Sequence, residues 1–383
     1  MTRLAFFIHF NRTWIGGINV ILNLINLLDI KRRKTKSKIE IIIFTNSKKK
    51  LQKYSINKNI KIIQDNTIFD QNIVVRIIDK IFLLLFNKTI FLEKFLLKNK
   101  IDIISHTNII TGINSYSKSI IWIPDFQYLY FPKLFSLKYK IFKYINMKLY
   151  SKCAHKILLS SDSAKEDLKI ATDISNKKIE VNKFFFKVPS KDKLKKLSYL
   201  KRKYKLPNKY FYLPNQYWEH KNHRIVIEAL KKIRDKKIFI CSTGSKNDYR
   251  KPKYFLSLMK RLKEYKLENN YKYLGLVPYL DVMSLTYHSL ALVNPSFFEG
   301  WSSTVEQANA YKKTIILSKI KVHLEQNPDN AYFFNPNNST SLKNILLNIY
   351  YKKPIIKNKI KKNTKIKVND YINNYFRILN SCI

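Results

Sequence analysis

The chain has 383 residues, of which 45% are hydrophobic and 14% are aromatic. This length allows two or three separate cores and this composition is typical of a folded protein, so a single small module and wholesale disorder are both excluded. The formal net charge is +47, but 62 lysines stand against 11 arginines and they occur in every segment. Because a phosphate-binding patch would favour the bidentate guanidinium of arginine, this bias argues against nucleic acid as the partner.

Runs of β-branched residues alternate with helical patterns along the first half of the chain. The predicted strands are 3–8, 39–44, 59–63, 101–104, 119–123, 156–160 and 179–182. A helix is predicted after the first strand, over 18–29, where Ile18, Ile21, Leu22, Ile25 and Leu28 share one face.

A second series of the same kind follows in the second half of the chain. Its predicted strands lie near 209–213, 237–241, 272–274, 290–293, 313–317 and 331–334. Its predicted helices lie near 222–234, 252–265, 302–311 and 339–350. Such alternation implies parallel sheets covered by helices on both faces, so we predict an α/β protein with two doubly wound domains.

The polar stretch 190–209 predicts the border between the two domains, since few β-branched residues occur in it. We place the N-terminal domain at 1–195 and the C-terminal domain at 205–360. The last segment, 361–383, has apolar residues at helical spacing. It is expected to form a helix that packs back on the body, with a frayed tail as the alternative.

No segment reaches the roughly 18 uninterrupted apolar residues that a bilayer crossing requires. The most apolar, lysine-flanked stretch, 76–100, has two interpretations, a membrane-surface helix or a core helix pair that covers the first sheet. Cys153, Cys241 and Cys382 have neither disulfide nor metal-ligand spacing, and no small-residue cleavage site follows the opening apolar run. We therefore expect a cytoplasmic protein, with peripheral contact to the inner face of the plasma membrane as an open possibility.

The chain has six glycines, where average usage would give about 27. Each one is therefore expected where a side chain would collide or where φ must be positive. Gly16 and Gly17 lie between the first predicted strand and the first predicted helix, where free amides bind an anion or a sugar, unless the pair only makes a tight turn. Gly300 precedes three hydroxyl residues at another predicted helix start, Ser302, Ser303 and Thr304. One hydroxyl would be enough to cap that helix, so three behind a glycine indicate a phosphate site.

The segment PSFFEGWSSTVEQANA, 295–310, resembles the retaining glycosyltransferases of family 4, the group 1 enzymes of the GT-B class. Further segments resemble one bacterial subgroup of this family in the same order, namely 122–136, 156–168, 212–230, 242–250, 273–278 and 316–336. The resemblance implies two Rossmann-like domains that face each other across a cleft, with the acceptor held by the N-terminal domain and a nucleotide-diphosphate sugar by the C-terminal domain. It implies transfer of the sugar to a growing or lipid-linked glycan of a surface polysaccharide or lipopolysaccharide, without a metal cofactor.

The resemblance also assigns a donor site. Glu299 matches the first glutamate of the family motif, which contacts the donor sugar, and Lys221 matches the lysine that contacts the diphosphate. The second glutamate of the motif, which holds the ribose, is replaced by Gln307, with Glu306 just before it. Most members carry an arginine where this chain has Gln216. Since the amide of Gln307 forms hydrogen bonds without a charge, we expect weaker nucleotide binding. Gln216 is expected to be a trait of the subgroup that the chain resembles.

On the acceptor side, Asp125 and Tyr128 follow the predicted strand 119–123. Asp125 is expected to orient the acceptor hydroxyl, with capping of the next turn as the alternative. Tyr128 stands where many relatives carry histidine, and a tyrosine with a pKa near ~10 is a poor general base. The resemblance to retaining GT-B enzymes implies that the departing phosphate takes the acceptor proton. The departures at Gln216, Tyr128 and Gln307 leave open a degenerate protein that binds nucleotide or glycan without transfer.

Overall fold

The structure is a computed structural model that describes residues 1–10, 15–233, 237–352 and 368–382. The chain forms two compact units, which are treated separately below. The first unit comprises Met1–Phe126, Ser136–Phe185 and Ile366–Ile383. The second unit comprises Gln127–Phe135 and Phe186–Lys365.

The strands and helices follow one another in near-regular alternation. The strands are β1 (Thr2–Ile8), β2 (Ile39–Thr45), β3 (Lys61–Gln64), β4 (Ile103–Thr107), β5 (Lys118–Ile123), β6 (Lys156–Leu159), β7 (Ile179–Val181), β8 (Phe211–Leu213), β9 (Ile240–Ser242), β10 (Tyr271–Tyr273), β11 (Leu292–Asn294), β12 (Ile315–Ser318) and β13 (Ala331–Phe334). The helices are α1 (Ile15–Lys34), α2 (Lys48–Leu51), α3 (Ile73–Phe86), α4 (Phe91–Lys98), α5 (Gln127–Tyr130), α6 (Leu137–Cys153), α7 (Asp162–Ala171), α8 (Leu197–Tyr204), α9 (His223–Lys231), α10 (Tyr254–Glu264), α11 (Tyr279–His288), α12 (Ser303–Ala310), α13 (Lys321–Gln326), α14 (Ser339–Tyr350) and α15 (Val368–Asn380). Short 3-10 helices lie at Pro132–Leu134, Asn176–Lys178, Lys191–Lys193 and Glu219–Lys221.

Each unit is built on one parallel sheet. The sheet of the first unit has the order β3-β2-β1-β4-β5-β6-β7, and that of the second unit has the order β10-β9-β8-β11-β12-β13. In the first sheet β1 pairs with β2 along its whole length, from Thr2 opposite Ile39 to Ile8 opposite Thr45. Every predicted strand overlaps an observed one, and the predicted α/β class with two doubly wound sheets is confirmed.

Central strands are buried on both faces, because helices cover both sides of each sheet. In β2 the consecutive residues Ile41, Ile42, Ile43 and Phe44 are all buried. The sequence therefore shows continuous apolar runs at these strands instead of the alternation of a half-exposed sheet. In the second unit Val226 and Leu230 of α9, Leu346 of α14 and Val293 of β11 belong to one core cluster.

Two predicted boundaries differ from the structure. The first helix begins at Ile15, so Gly16 and Gly17 lie in its first turn and not between the strand and the helix as predicted. The predicted border, 190–209, is not a linker in the structure, because it contains α8, whose Leu200 packs with buried residues of the second unit. The second unit begins at Phe186 and also includes Gln127–Phe135, whereas the predicted domains were 1–195 and 205–360.

The described part of the last segment is helix α15, which belongs to the first unit. Residues 361–367 of the predicted C-terminal segment lie outside the described residues. Tyr371, Ile372, Tyr375 and Ile378 of α15 are buried, at the helical spacing that the sequence shows. The Tyr375 hydroxyl lies 2.5 Å from the Ser105 hydroxyl at β4, so this helix is bonded to the first sheet.

The apolar stretch 76–100 forms the helix pair α3 and α4, and the two helices have different surroundings. Leu92 and Leu96 of α4 pack in a core cluster with Phe44 of β2, so this helix covers the sheet as one interpretation predicted. Helix α3 buries only Asp79 and Leu83 among its side chains. Among the residues that the structure describes, no helix has the length and apolar character needed to cross a membrane.

Candidate functional site

The strand order of the second sheet reverses between β8 and β11, which are neighbours without being consecutive in the chain. Ligands of open α/β sheets bind beyond the carboxyl ends of the strands at such a switch point. The loop after β8 carries Gln216 and Lys221, and the loop after β11 carries Glu299 and Gly300. The fold therefore brings together the two segments in which the sequence predicts the donor site.

Lys221 and Glu299 form an ion pair with 2.7 Å between Nζ and Oε2. Their side chains are only 17% and 8% exposed. An ion pair shielded from water is weakly screened, and removal of one partner leaves the other charge buried and unpaired. The pair therefore fixes one ammonium and one carboxylate at the carboxyl end of the second sheet.

Two hydrogen bonds to backbone carbonyls join the two loops that carry this pair. Lys221 ends a 3-10 helix, and Asn222 follows it in the left-handed conformation with φ of 53°. The side-chain amide of Asn222 donates to the Pro295 carbonyl at 3.2 Å, and the Phe297 N–H donates to the His220 carbonyl at 2.8 Å. Because both bonds join the first loop to the second, the position of Lys221 relative to Glu299 does not depend on their charges alone.

Glu299 is ionised at neutral pH despite its burial. Its Oε1 accepts a hydrogen bond from the Ser296 hydroxyl at 2.7 Å and one from the Asn294 amide at 3.4 Å. Burial raises the pKa of Glu299, but the charge of Lys221 and the hydrogen bonds from Lys221 and Ser296 outweigh it and hold the pKa below its ordinary value. The site therefore has a fixed carboxylate next to a fixed ammonium.

Helix α12 begins next to this pair with its first turn uncapped by a side chain. Ser302 occupies the N-cap position, but its hydroxyl makes no capping hydrogen bond to this helix and accepts one from the Asn294 amide at 2.9 Å. The Thr304 hydroxyl lies 3.1 Å from that of Ser302. Simple capping by Ser302, the alternative to a phosphate site, is therefore not observed. An uncapped helix start presents backbone N–H groups that suit an anion.

Gln326 forms hydrogen bonds with two residues near the start of α12, Ser302 and Glu306. The Gln326 amide donates to the Ser302 carbonyl at 3.1 Å and to the Glu306 carboxyl at 2.8 Å. Burial raises the pKa of Glu306 to about 7, although hydrogen bonds from Gln326 and Trp301 act in the opposite direction. The Glu306 carboxyl therefore contacts Gln326. Gln307, the next residue of α12, is also buried. Sequence reasoning missed Gln326, because no local pattern links it to a helix start 24 residues earlier in the chain.

Gln216 lies partly exposed in the loop after β8. This loop packs on Gly244, whose φ is +138°. A Cβ atom at Gly244 would collide with the Asn215 carbonyl and the Gln216 Cα. The expectation that the few glycines occupy such places is met here, because no other residue would let the two loops approach this closely.

Arg250 is a buried residue of this region that sequence reasoning did not single out. Its Nε lies 2.9 Å from Asp248 Oδ1, and the two side chains are 6% and 1% exposed. Its Nη1 donates to Gln127 Oε1 at 2.9 Å, and its guanidinium lies 5.0 Å from the centre of the Trp218 ring. Arg250 therefore holds α5 against the loop that leads to Lys221. A signal was present, since arginine is rare in this lysine-rich chain.

Tyr128 lies on α5, close to the Glu299 loop. The ring of Tyr130 on the same helix lies 4.8 Å from that of Phe298, and the Phe131 ring lies 6.4 Å from that of His220. Both contacts are within the second unit. The structure therefore places the predicted acceptor residue Tyr128 on a helix that borders the loops of the predicted donor site.

The other predicted site residues lie in the first unit. Asp125 follows β5 by two residues, and its charge opposes the burial that lowers the pKa of Lys143. Gly16 is exposed at the start of α1, and the space where its Cβ would lie is open. Because its φ is not positive either, the expectation for the glycines is wrong at Gly16. Gly17 is buried beside it. Asp125 therefore lies at the carboxyl end of β5, as expected for a ligand-binding position of a doubly wound sheet, whereas Gly16 and Gly17 lie in the first turn of α1.

Three histidines near the predicted donor segments are buried and neutral at pH 7. Burial lowers the pKa of His223 to about 3 and that of His323 to about 4, and it also lowers the pKa of His220. Within the described ranges, no group of three or more His, Cys, Asp or Glu side chains is placed to hold a metal ion. These histidines therefore add no positive charge beside the Lys221–Glu299 pair at pH 7.

The two Rossmann-like parallel sheets are similar to those of solved glycosyltransferases. A glycosyltransferase from Rickettsia africae ESF-5 matches with a TM-score of 0.68 and 16% identity, covering 100% of this chain and 98% of that chain. Anabaena Alr3699/HepE, solved in complex with UDP and glucose, matches with a TM-score of 0.69 and 15% identity, covering 100% of this chain and 99% of that chain. At such identities the likeness establishes the fold, and the predicted GT-B fold is confirmed.

The sequence comparisons agree with the fold. Residues 200–367 match the family model described as Glycosyl transferases group 1. The O-antigen chain mannosyltransferase RfbU of Salmonella typhimurium is 24% identical over 229 residues, a match that spans 60% of this chain and 60% of RfbU. Residues 200–367 therefore match a group 1 glycosyltransferase domain, and the resemblance predicted from the motifs is confirmed.

Proposed function

We propose that this protein is an enzyme that transfers a sugar from a nucleotide-diphosphate donor to a growing glycan, with retention of the anomeric configuration. One observation carries the proposal. The buried Lys221–Glu299 pair lies beside the uncapped start of α12, at the switch point of the second sheet. This arrangement offers a cation and backbone N–H groups to a diphosphate, and a carboxylate to sugar hydroxyls.

The first step of transfer is the departure of the nucleoside diphosphate. Cleavage of the bond between the sugar and the phosphate places negative charge on the leaving phosphate oxygen. Lys221 and the first-turn N–H groups of α12 are fixed before the reaction, so they stabilise this charge without reorganisation. The hydroxyls of Ser303 and Thr304 at the same helix start are further donors for the phosphate. In this proposal the chain's own groups balance the charge, so no metal cofactor is required.

Glu299 is proposed to hold the donor sugar. Its two oxygens receive hydrogen bonds from Lys221, Ser296 and Asn294. A carboxylate has about four acceptor positions, so at least one remains for a sugar hydroxyl. Gln307 is proposed to contact the ribose, with an amide in place of the usual carboxylate.

Two residues are proposed to act on the acceptor. Asp125 would orient the acceptor hydroxyl, and Tyr128 would contact the acceptor from α5. As the bond from the acceptor oxygen to the sugar carbon forms, the proton of that hydroxyl passes to the departing phosphate oxygen, so no histidine base is required. Gly16 and Gly17, in the first turn of α1, remain proposed donor-binding residues.

The relatives indicate which substrates to test first. HepE was solved with UDP and glucose, and RfbU is named for transfer of mannose to an O-antigen chain. We therefore propose a UDP-sugar or a mannose donor, and a surface polysaccharide or lipopolysaccharide glycan as the acceptor. The proposed place of the reaction is the cytoplasm, at the inner face of the plasma membrane.

The test is a turnover assay with UDP-glucose and other nucleotide sugars, in which release of nucleoside diphosphate is measured and the anomer of the product is assigned by NMR. We expect release from one donor and loss of release in Lys221→Gln. Lys251→Gln is the control, since Lys251 lies in the same unit, is 49% exposed and makes only a long contact with Glu219. Equal rates for Lys221→Gln and the wild type, or a product of inverted configuration, would contradict the proposal.

A second candidate function is binding of nucleotide or glycan without transfer. The observation that favours it is Gln307, which is buried where the family motif has its second glutamate. Restoring the glutamate distinguishes the two candidates, as described in the Discussion.

A further inference from the structure

Helices α3 and α6 of the first unit expose an apolar surface to solvent. On α3, Ile77, Ile81 and Leu84 are 51%, 47% and 52% exposed. On α6, Leu137, Ile141 and Ile145 are 68%, 51% and 49% exposed. These six residues are called the apolar face. Folded monomers seldom expose large contiguous apolar patches, so such a face marks an interaction surface.

The six side chains belong to one surface because the two helices are neighbours. Each set repeats at intervals of three or four residues, which places its members on one side of its helix. Leu83 of α3 packs in one cluster with Leu149 and Cys153 of α6. In addition, Lys80 Nζ of α3 lies 5.4 Å from the centre of the Phe142 ring of α6. The helices thus meet along a buried seam, and both leave apolar side chains outside it.

The exposed charges that α3 and α6 themselves carry are all positive. Helix α6 contains no acidic residue. The one acid of α3, Asp79, is buried and accepts hydrogen bonds from the backbone N–H groups of Ile90 and Phe91, both at 2.8 Å. Arg76 and Lys80 on α3 are exposed, and so are Lys138 and Lys148 on α6. Basic side chains therefore border the apolar face, and neither helix exposes a carboxylate.

We propose that the apolar face docks onto the surface of a bilayer that contains anionic lipid. Apolar side chains on one side of a helix enter the boundary between headgroups and acyl chains, and bordering lysines interact with the negative headgroups. A second copy of the chain is a poorer partner, because two such faces would bring like charges together. Of the two helices formed by the apolar stretch, α4 covers the first sheet. Helix α3 buries only Asp79 and Leu83 and is therefore available to contact a membrane.

Docking concerns the first unit alone and does not rest on the proposed transfer reaction. If the acceptor is a lipid-linked glycan, docking holds the proposed acceptor side of the protein at the membrane that contains it. Vesicle binding is measured without nucleotide, so failure of the docking proposal and failure of the transfer proposal give different results.

The test is co-sedimentation of the full chain with vesicles of phosphatidylcholine, or of three parts phosphatidylcholine to one part phosphatidylglycerol. The variant combines Ile81→Gln, Leu84→Gln and Ile141→Gln. Its matched control combines Ile170→Gln, Leu256→Gln and Leu276→Gln, the same change at residues 77%, 65% and 68% exposed elsewhere on the protein. We expect the wild type and the control to bind the anionic vesicles, and the variant to bind at least about tenfold more weakly.

A second pair of variants tests the charges. Lys80→Gln with Lys138→Gln should weaken binding to the anionic vesicles and make it less sensitive to salt, whereas Lys169→Gln with Lys263→Gln should not. The proposal is overturned if the wild type ignores the anionic vesicles, or if the apolar variant binds as well as the wild type while its circular dichroism is unchanged. A wild-type dimer that becomes monomeric in the apolar variant, without vesicle binding, would assign the face to a second copy.

Discussion

Glu299 and Glu306 are both buried near the start of α12, yet their pKa values move in opposite directions. Burial raises the pKa of each carboxyl, but Glu299 has the Lys221 ammonium at 2.7 Å, whereas Glu306 has the neutral amide of Gln326 at 2.8 Å. A charged partner compensates for lost hydration and a neutral amide does so only in part. The same residue type therefore gives a carboxylate at one position and a group that titrates near neutral pH at the other.

Glu306 makes the stability of the protein depend on pH near neutrality. Its pKa is about 7 in the folded state against an ordinary value of 4.5, so the folded state binds the proton more tightly and the free energy of unfolding falls as pH rises from about 5 to about 8. In Glu306→Gln this contribution is absent. Relative to the wild type, the variant should therefore gain stability between pH 5 and pH 8, by up to about 3 kcal/mol. Urea unfolding of both proteins at the two pH values measures the difference, and a constant difference would contradict the assignment.

Gln307 is the residue at which the proposed donor site departs most from the family motif. Gln307→Glu restores a carboxylate, and since hydrogen bonds to a charged acceptor are about twice as strong as neutral ones, nucleotide affinity should rise by about tenfold. Titration calorimetry measures the affinity, and Gln52→Glu, an exposed position of the first unit, is the control. A large gain in turnover as well would favour the non-catalytic candidate for the wild type. Unchanged affinity would place Gln307 away from the nucleotide.

At the scale of elements, helix α15 is fixed to the first sheet mainly by buried side chains. The Tyr375 ring is fully buried, and its hydroxyl lies 2.5 Å from Ser105 Oγ. Arg377 pairs with Glu180 at 2.6 Å, but its side chain is 59% exposed. Apolar burial and a buried hydrogen bond stabilise a fold more than an exposed ion pair does.

Substitutions in α15 should follow this order. We expect Tyr375→Ala to lower the free energy of unfolding by about 3 to 5 kcal/mol and Tyr375→Phe by about 1 kcal/mol, because the second change keeps the ring and removes the hydrogen bond. Arg377→Ala should cost less than about 1 kcal/mol. Urea unfolding followed by circular dichroism gives all three values. A larger effect for Arg377→Ala than for Tyr375→Phe would show that the ion pair, and not the buried tyrosine, fixes the helix.

Most elements were predictable from the sequence, whereas their ends were not. Strands such as β2 stand out because four consecutive buried residues must all be apolar. The start of α1 was predicted at 18 instead of Ile15, because Gly16 and Gly17 have poor helix propensity and were assigned to the turn. Helix α8 lies within the predicted domain border, 190–209. Its sequence did not indicate a packed helix, because its outer face is rich in lysine and its inner face buries chiefly Leu200.

At the scale of the whole molecule, the donor segments were predicted from their resemblance to family motifs, and the structure shows that both follow strands that meet at a switch point. Lys221 and Glu299 are 78 residues apart in the chain and form an ion pair in the structure. Gln326 and Arg250 were missed, because their roles depend on partners far away in the sequence. The exposure of α3 was not predictable either, since a run of apolar residues looks the same whether it covers a sheet or lies on a surface.

The high net charge is also a property of the whole molecule. Lysines are spread along the chain, but on α3 and α6 they border an apolar face without exposed carboxylates. The proposed docking on a membrane therefore rests on this local arrangement and not on the net charge of +47 as such. The paired variants of the apolar face and of distant exposed residues separate these two explanations.

Lys221 and the start of α12 are proposed to bind the diphosphate of a nucleotide. Calorimetric titration with UDP, GDP and ADP measures this binding. Selective binding of one nucleotide is expected, with a loss of at least about tenfold in Lys221→Gln and in Lys221→Ala and no change in Lys251→Gln. Thermal unfolding of each variant shows whether it is folded, because a lone Glu299 charge is costly when buried. Failure of all three nucleotides to bind the folded wild type, or equal affinity in a folded Lys221→Gln, would contradict the claim.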